Sequence, residues 1–501
     1  MKKVILSFVA LAAVVACNQD KGLEQSRRFT IKAGANETKT LLDGDAVKWQ
    51  SGDAIALCFT STDKTSINTF TTAENGVSVN FTGSLANDVT VAEYGATGHA
   101  VYPADAMDNT GKVTATLAES VTAYENGSFV NGKNLASAVV NLSELKDNGA
   151  TTAQFLNAFS IIRFTVPADV ATVEITADGN LAGSAAFVFN KDGRLVADSW
   201  TNELKTIMVT PENATFTAGK TYNVLVYPGT FTSLKAKLTD SDGCVFEKTN
   251  AGSFNFEPAK FNTFNFYTKF VKAYEFAATG KAFAAGDQIA AVYKSESEVL
   301  FEETLAASAD NKFSVTLPKE VIEGATSGFA VYPNTAYDMT DDKITYTLAT
   351  TGTYAELYAA KLTVGAAEAA FSKYAPATLK FTVPAGVQTV AIASDKNFVG
   401  TAEMTVDATG KLVAGTPDGN TVDLTPAGQA TSYALNVFPV TGANLTFTLK
   451  DAQGRAVTKT ATATVAAGGS LTLDLGNISF EQSGSFSAEG FTAGTTTDFG
   501  E

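Results

Sequence analysis

The sequence predicts an all-β protein built from tandem β-sandwich domains, and three observations carry that expectation. Composition is the first: 40 glycines, 34 phenylalanines and 15 tyrosines stand beside only two tryptophans, and long charged helical runs are missing. Such a mixture favours strands and turns over helices. Patterning is the second. Apolar and polar residues alternate in segments such as Val170-Ala171-Thr172-Val173-Glu174-Ile175, the period of a strand with one buried face. Turn signals separate these segments at short spacing, at Asp192-Gly193, Asp242-Gly243, Thr409-Gly410 and Gln453-Gly454, as in sandwiches. The third observation is an internal duplication.

Five anchors recur in the same order. Gly52-Asp53-Ala54-Ile55-Ala56 returns as Gly286-Asp287-Gln288-Ile289-Ala290, and Ala100-Val101-Tyr102-Pro103 as Ala330-Val331-Tyr332-Pro333. Phe164-Thr165-Val166-Pro167-Ala168 returns as Phe381-Thr382-Val383-Pro384-Ala385, and Gly193-Arg194-Leu195-Val196-Ala197 as Gly410-Lys411-Leu412-Val413-Ala414. Val224-Leu225-Val226-Tyr227-Pro228 matches Leu435-Asn436-Val437-Phe438-Pro439. Each copy divides in two, giving four expected sandwiches over 29–152, 153–270, 271–371 and 372–480. These are ordinary domain sizes. The first copy carries Lys39-Thr40-Leu41-Leu42 and Val47-Lys48-Trp49 ahead of its Gly-Asp. The second lacks that hairpin.

A chain of 501 residues is too long for one core. Its net charge of −16 argues against a nucleic-acid partner, which needs an excess of Lys and Arg.

The amino terminus reads as an export signal over 1–16. Met1-Lys2-Lys3 is positive, Val4 to Ala13 is apolar, and Val14-Val15-Ala16 leads directly to Cys17. The apolar stretch is shorter than the roughly 20 residues of a membrane-spanning helix. A small-residue site ending at cysteine resembles the bacterial lipoprotein signal, in which Cys17 is acylated and becomes the mature first residue. Several acyl chains on one residue hold a membrane almost irreversibly, at about 0.8 kcal/mol per buried CH₂. The expected partner is therefore outer-membrane lipid. The segment 17–28 is polar and reads as a tether, and 481–501, with Phe486, Phe491 and Phe499 among Gly, Ser and Thr, reads as a flexible tail.

The chemistry-bearing residues give no enzyme. His99 is the single histidine, which removes multi-histidine metal sites and leaves no metal or cofactor to expect. Its matching position is Phe329, so it reads as a strand packing residue. Asp43-Gly44-Asp45 and Asp240-Ser241-Asp242-Gly243 have the look of calcium loops but lack the remaining ligands. They read as tight turns. In the repeated Gly-Asp pairs, Gly opens a turn and Asp caps nearby N–H groups. Tyr102-Pro103 and Phe438-Pro439 read as strand ends, and Trp49 as core. Cys58 matches Val292 and is expected to be buried. Cys244 matches Arg455 and is expected to be exposed.

Together these residues resemble the fimbrillin family of Bacteroidota envelope proteins, the subunits of type V pili. The likeness lies in the lipoprotein signal, in Lys39-Thr40-x-Leu42 followed by Val47-x-Trp49-x-x-Gly52-Asp53-x-Ile55, and in the Val-Tyr-Pro strand. It lies also in an aromatic-rich segment leading into Ile162-Arg163-Phe164 or Leu379-Lys380-Phe381. The resemblance implies transthyretin-like sandwiches and a structural or adhesive role at the cell surface, as an accessory or tip fimbrial subunit, with other subunits or a host or bacterial surface ligand as partners. In polymerising members a protease cuts after an arginine near the mature start and removes the lipid and a first strand, and a neighbour's strand then fills the groove. Arg27-Arg28, before Phe29-Thr30-Ile31, is the corresponding candidate here; the pair also suits a plain flank to a first strand. The duplication departs from the family's single two-domain unit, and a tandem, non-polymerising protein fits it equally. The alternative is a glycan-binding surface lipoprotein of a saccharide uptake system, against which the scarcity of tryptophan counts.

Overall fold

The computed structural model describes residues 27–34, 41–43, 46–125, 134–266, 269–296, 298–426 and 429–480. The chain is nearly all β and divides into two compact units, Met1–Thr268 and Lys269–Glu501.

In the first unit the opening strand, Arg28–Gly34, is an inner rung. It pairs antiparallel with Val79–Ser84 on one side and parallel with Ala150–Gln154 on the other. The rest of this sheet runs through Thr65–Thr71, Ala54–Thr60, Thr97–Tyr102, Ala136–Asn141 and Leu156–Asn157. Alternation turns Phe29, Ile31 and Ala33 inward. They join a core in which Trp49 is 1% exposed and meets Phe81, Tyr102 and Phe155 edge-on, with centroids 5.0, 5.2 and 5.3 Å away. Edge-to-face contact places the positive rim of one ring on the negative face of the next. Trp49 is thus core, as its strand pattern suggested.

The second half of the unit packs a three-stranded sheet, Tyr222–Val226, Ser160–Thr165 and Phe261–Asn265. In a second sheet Val170–Ala177 lies between Thr206–Pro211 and the long hairpin Gly229–Asp240/Val245–Phe256. Two strands cross the segment boundary near 152. Val113–Leu117 pairs with Ala182–Phe189, and Ser120–Ala123 runs parallel to Thr206–Pro211. The two halves therefore share hydrogen-bonded sheets.

The second unit repeats this plan. Val271–Thr279 sits between antiparallel Lys312–Pro318 and parallel Glu368–Ala370. Gln288–Lys294 pairs with Ser327–Tyr332 as Ala54–Thr60 pairs with Thr97–Tyr102, and the registers agree: Val292 faces Phe329 where Cys58 faces His99. Ala377–Val383 lies between antiparallel Thr431–Val437 and parallel Ser470–Thr472, repeating the three-stranded sheet. Lys343–Leu348 reaches forward to Gly400–Val406 as Val113–Leu117 reaches to Ala182–Phe189. The Tyr102–Pro103 and Tyr332–Pro333 bonds are both cis and end equivalent strands. The hairpin Leu41–Asp43/Ala46–Lys48 has no counterpart among the described residues of the second unit.

The shared turn before each second strand follows from its sequence. Gly52 and Gly286 take φ of 96° and 90°, which glycine alone adopts without strain. The next residue caps the turn: Gln50 N–H donates to Asp53 Oδ2 at 2.7 Å, and Ala284 N–H to Asp287 Oδ2 at 2.9 Å. These aspartates are scaffold.

Candidate functional site

Cys17 lies outside the described residues, as do 481–501 and the centre of the Asp43-Gly44-Asp45 turn. Arg27 and Arg28 are described and exposed. The Arg27 guanidinium stands 5.3 Å from the Phe29 ring centroid, within cation–π range, while Arg28 is already the first residue of the opening strand. A cut after either arginine therefore detaches what precedes it and leaves the inward-facing Phe29, Ile31 and Ala33 in place.

His99 is half-buried in Thr97–Tyr102 and lies flat on Phe189, with centroids 3.9 Å apart. Its Nδ1 is buried without a hydrogen-bond partner, and burial lowers its affinity for a proton. Phe329, at the matching position of the second unit, instead meets Tyr337 edge-on, with centroids 5.9 Å apart. Cys58 is buried and its thiol pKa is raised by that burial. Cys244 corrects the expectation of exposure: it is fully buried, and its N–H donates to Asp240 Oδ1 at 2.7 Å. At the matching turn Arg455 N–H donates to Asp451 Oδ1, and Arg455 Nε to Asp451 Oδ2 at 2.6 Å. A long side chain carries its charge outward from a position where a thiol stays inside. Asp240 also accepts from Asp242 N–H, so this loop is a tight turn. Among the described residues no three His, Cys, Asp or Glu side chains come together to hold a metal, and no helix is long and apolar enough to cross a membrane.

At two places the second unit has ion pairs on positions that hold neutral residues in the first. Lys281 lies over Phe283, Tyr332 and Tyr358 at 5.1, 4.5 and 4.8 Å, beside a Glu356–Lys373 ion pair of 2.7 Å. Sheet register sets Glu356 and Lys373 opposite the first unit's Asn134 and Asn157, a buried amide pair whose Nδ2 donates to Oδ1 at 2.8 Å. Elsewhere Tyr337 donates toward Asp342 Oδ1 and Glu302 Oε2 at 2.9 and 3.1 Å, and Lys294 pairs with Asp342. Burial, then the two carboxylates, raise the Tyr337 pKa far above the phenol range. The corresponding residue of the first unit is Met107, so this network braces a spot that is apolar there.

Sequence reading missed one site. In the first unit a cleft of about 580 Å³ opens between the Gly229–Asp240/Val245–Phe256 hairpin and Phe261–Asn265, the outer strand of its three-stranded sheet. Half-buried rings of Phe254, Phe261 and Phe264 line it, with Ala236 among its small residues. Lys248 and Asn250 belong to the hairpin and Asn265 to the facing strand; all three are exposed, and their side chains make no hydrogen bond or ion pair within the described residues. Arg163 stacks on Phe261 at 3.7 Å and donates from Nε to Asn223 at 3.0 Å, which holds that ring at the rim. The signal was present as Phe261-x-x-Phe264-x-Phe266 interleaved with asparagine.

No family model matches the chain, and no curated protein does. Among solved structures it is similar to a candidate cell adhesion protein of Bacteroides uniformis ATCC 8492, at 18% identity and a TM-score of 0.34, covering 49% of this chain and 94% of that one. It is similar also to a fimbrial protein of Bacteroides ovatus ATCC 8483, at 14% identity and a TM-score of 0.25, covering 55% of this chain and 54% of that one. A candidate adhesin of the same strain aligns at 9% identity and a TM-score of 0.23 over 42% of this chain and 94% of its own.

Proposed function

We propose that this chain is a lipid-anchored protein of the cell surface with a structural or adhesive role, held in the outer membrane through Cys17. The observation that carries the reading is the placement of the opening strand. It begins eleven residues after Cys17 in the sequence, and it is an inner rung of a sheet with ladders on both sides. A pull on the anchor is thus resisted by two rows of backbone hydrogen bonds and by the burial of Phe29, Ile31 and Ala33. The duplicated sandwiches beyond it and the fimbrillin-like motifs of the sequence accord with that role.

Because the arginine pair precedes the strand, the reading favours a tandem protein that stays monomeric over a stalk subunit that trades its first strand. Proteolysis of intact cells, with sequencing of the mature amino terminus, tests both parts. Digestion from outside together with a terminus at blocked Cys17 is the expected result. Protection of the body in intact cells overturns the surface reading, and a natural terminus beyond Gly34 restores strand exchange.

A further inference from the structure

On its hairpin side the cleft of the first unit lies open where the second unit is filled; the second unit's own cleft, of about 630 Å³, is lined by Lys380, Phe381, Tyr433, Leu473 and Asp474 and by no residue of its hairpin. The turns Asp240–Cys244 and Asp451–Arg455 carry the same hydrogen bonds and fix the alignment of the two hairpins. Ala236 then corresponds to Phe447, Asn250 to Ala461 and Gly252 to Ala463. Phe447 is fully buried and meets Phe381 at 5.2 Å. Replacing that ring by a methyl removes the plug. On the facing strand the registers of Ile162 with Asn262 and Leu379 with Leu471 set Phe264 against Leu473 and Asn265 against Asp474. Leu473 is 7% exposed, whereas Phe264 is half-buried at the cleft. Within one fold, then, the first unit has lost filling volume, gained flat rings and exchanged alanine for asparagine on the wall.

We infer that this cleft binds a short oligosaccharide. Loss of a core ring leaves a void that costs stability, and an apolar void would be closed by larger aliphatic residues. Here the wall is amide and ammonium and the lining aromatic. Rings receive the C–H face of a pyranose, while Asn250, Asn265 and Lys248 offer donors and acceptors to its hydroxyls. A greasy ligand would leave those groups unpaired, and a cleft of this volume is in the range of small-ligand sites. The inference deepens the adhesive reading and rests on it for its biological setting, although the binding itself is independent of anchoring.

The test is saturation-transfer NMR on the full chain in detergent, with maltotriose, chitotriose and sialyllactose as probes and decanoate as competitor. Saturation of sugar C–H protons is expected with at least one probe. Ala236→Phe, which refills the space as Phe447 does, should abolish it, and Asn250→Ala should weaken binding by roughly tenfold, the loss of one good polar contact. Neither variant should lower the melting temperature. Should Ala236→Phe fail to fold, Asn250→Ala carries the test. Silence from all three sugars, transfer that survives both substitutions, or decanoate binding that no sugar displaces overturns the inference. Loss of sugar binding with membrane partition intact sinks this site alone. Loss of partition with sugar binding intact sinks the anchored surface reading and spares the site.

Discussion

At Asp407 and Asn190 the two copies make one turn with different atoms. Asp407 Oδ1 accepts from Thr409 N–H, Thr409 Oγ1 and Lys411 N–H at 2.8, 2.7 and 3.0 Å; Asn190 Oδ1 accepts from Asp192 and Arg194 N–H, both at 3.0 Å. The Lys411 backbone bond, then the Thr409 hydroxyl, hold the Asp407 carboxyl below the usual carboxylate range. A folded pKa below the unfolded one gives stability that is present above the ordinary Asp range and lost as pH falls through it. Asp407→Asn should therefore lower the neutral melting temperature slightly, by the carboxylate's contribution, and reduce its fall below about pH 4. Melts of both proteins across that range check this, and parallel acid slopes would refute it. The same turns place Gly193 and Gly410 at φ of 79° and 86°, against Val139 and the Lys361 backbone. Gly286 has nothing nearby. Gly286→Ala should cost about 1 kcal/mol for backbone conformation alone, and Gly410→Ala clearly more, as denaturant midpoints of the second unit will show. Turn glycines and capping aspartates were legible because their roles are local. The burial of Cys244 was not, since its partner in the alignment, Arg455, reaches solvent only by its length.

Among elements, the opening strand makes the sharpest prediction. Trypsin acting at Arg27 and Arg28 should release only the preceding segment, and the product should remain a monomer by light scattering at high concentration. Ladders on mild-denaturant gels would instead show that the strand leaves. Ile31→Asp, which puts a charge at a fully buried rung, should prevent the first unit from folding in the same preparation. The existence of this strand was readable from Phe29-Thr30-Ile31. Its neighbours were not, because they lie in distant sequence. The same reason hid the crossing of Val113–Leu117 into the following segment: alternation marks a strand's faces and says nothing of which edge it joins.

For the molecule as a whole, duplication was the most legible feature, since shared motifs at matching offsets survive where individual contacts diverge. The cleft was the least legible, because it arises from what Ala236 lacks, and a small residue in a strand carries no signal until its twin is known to be Phe447. Anchoring is the prediction that belongs at this scale. Cys17→Ser should move the protein from the detergent phase to the aqueous phase in phase separation, with the fold of both units unchanged by circular dichroism. Retention in the detergent phase would show that something other than Cys17 holds it.

The parallel pairing of the first strand has a consequence in time. Its neighbour Ala150–Gln154 lies more than a hundred residues downstream, and Val271–Thr279 waits in the same way for Glu368–Ala370. Contacts so distant along the chain close late and slowly. In a chain that emerges amino end first, each unit keeps its earliest strand unsealed on one side until its middle has arrived. A chain halted before residue 150 thus presents a bare strand edge to proteases and to its neighbours, while a finished unit presents none there. Completion is in this way written into the topology as a check on length.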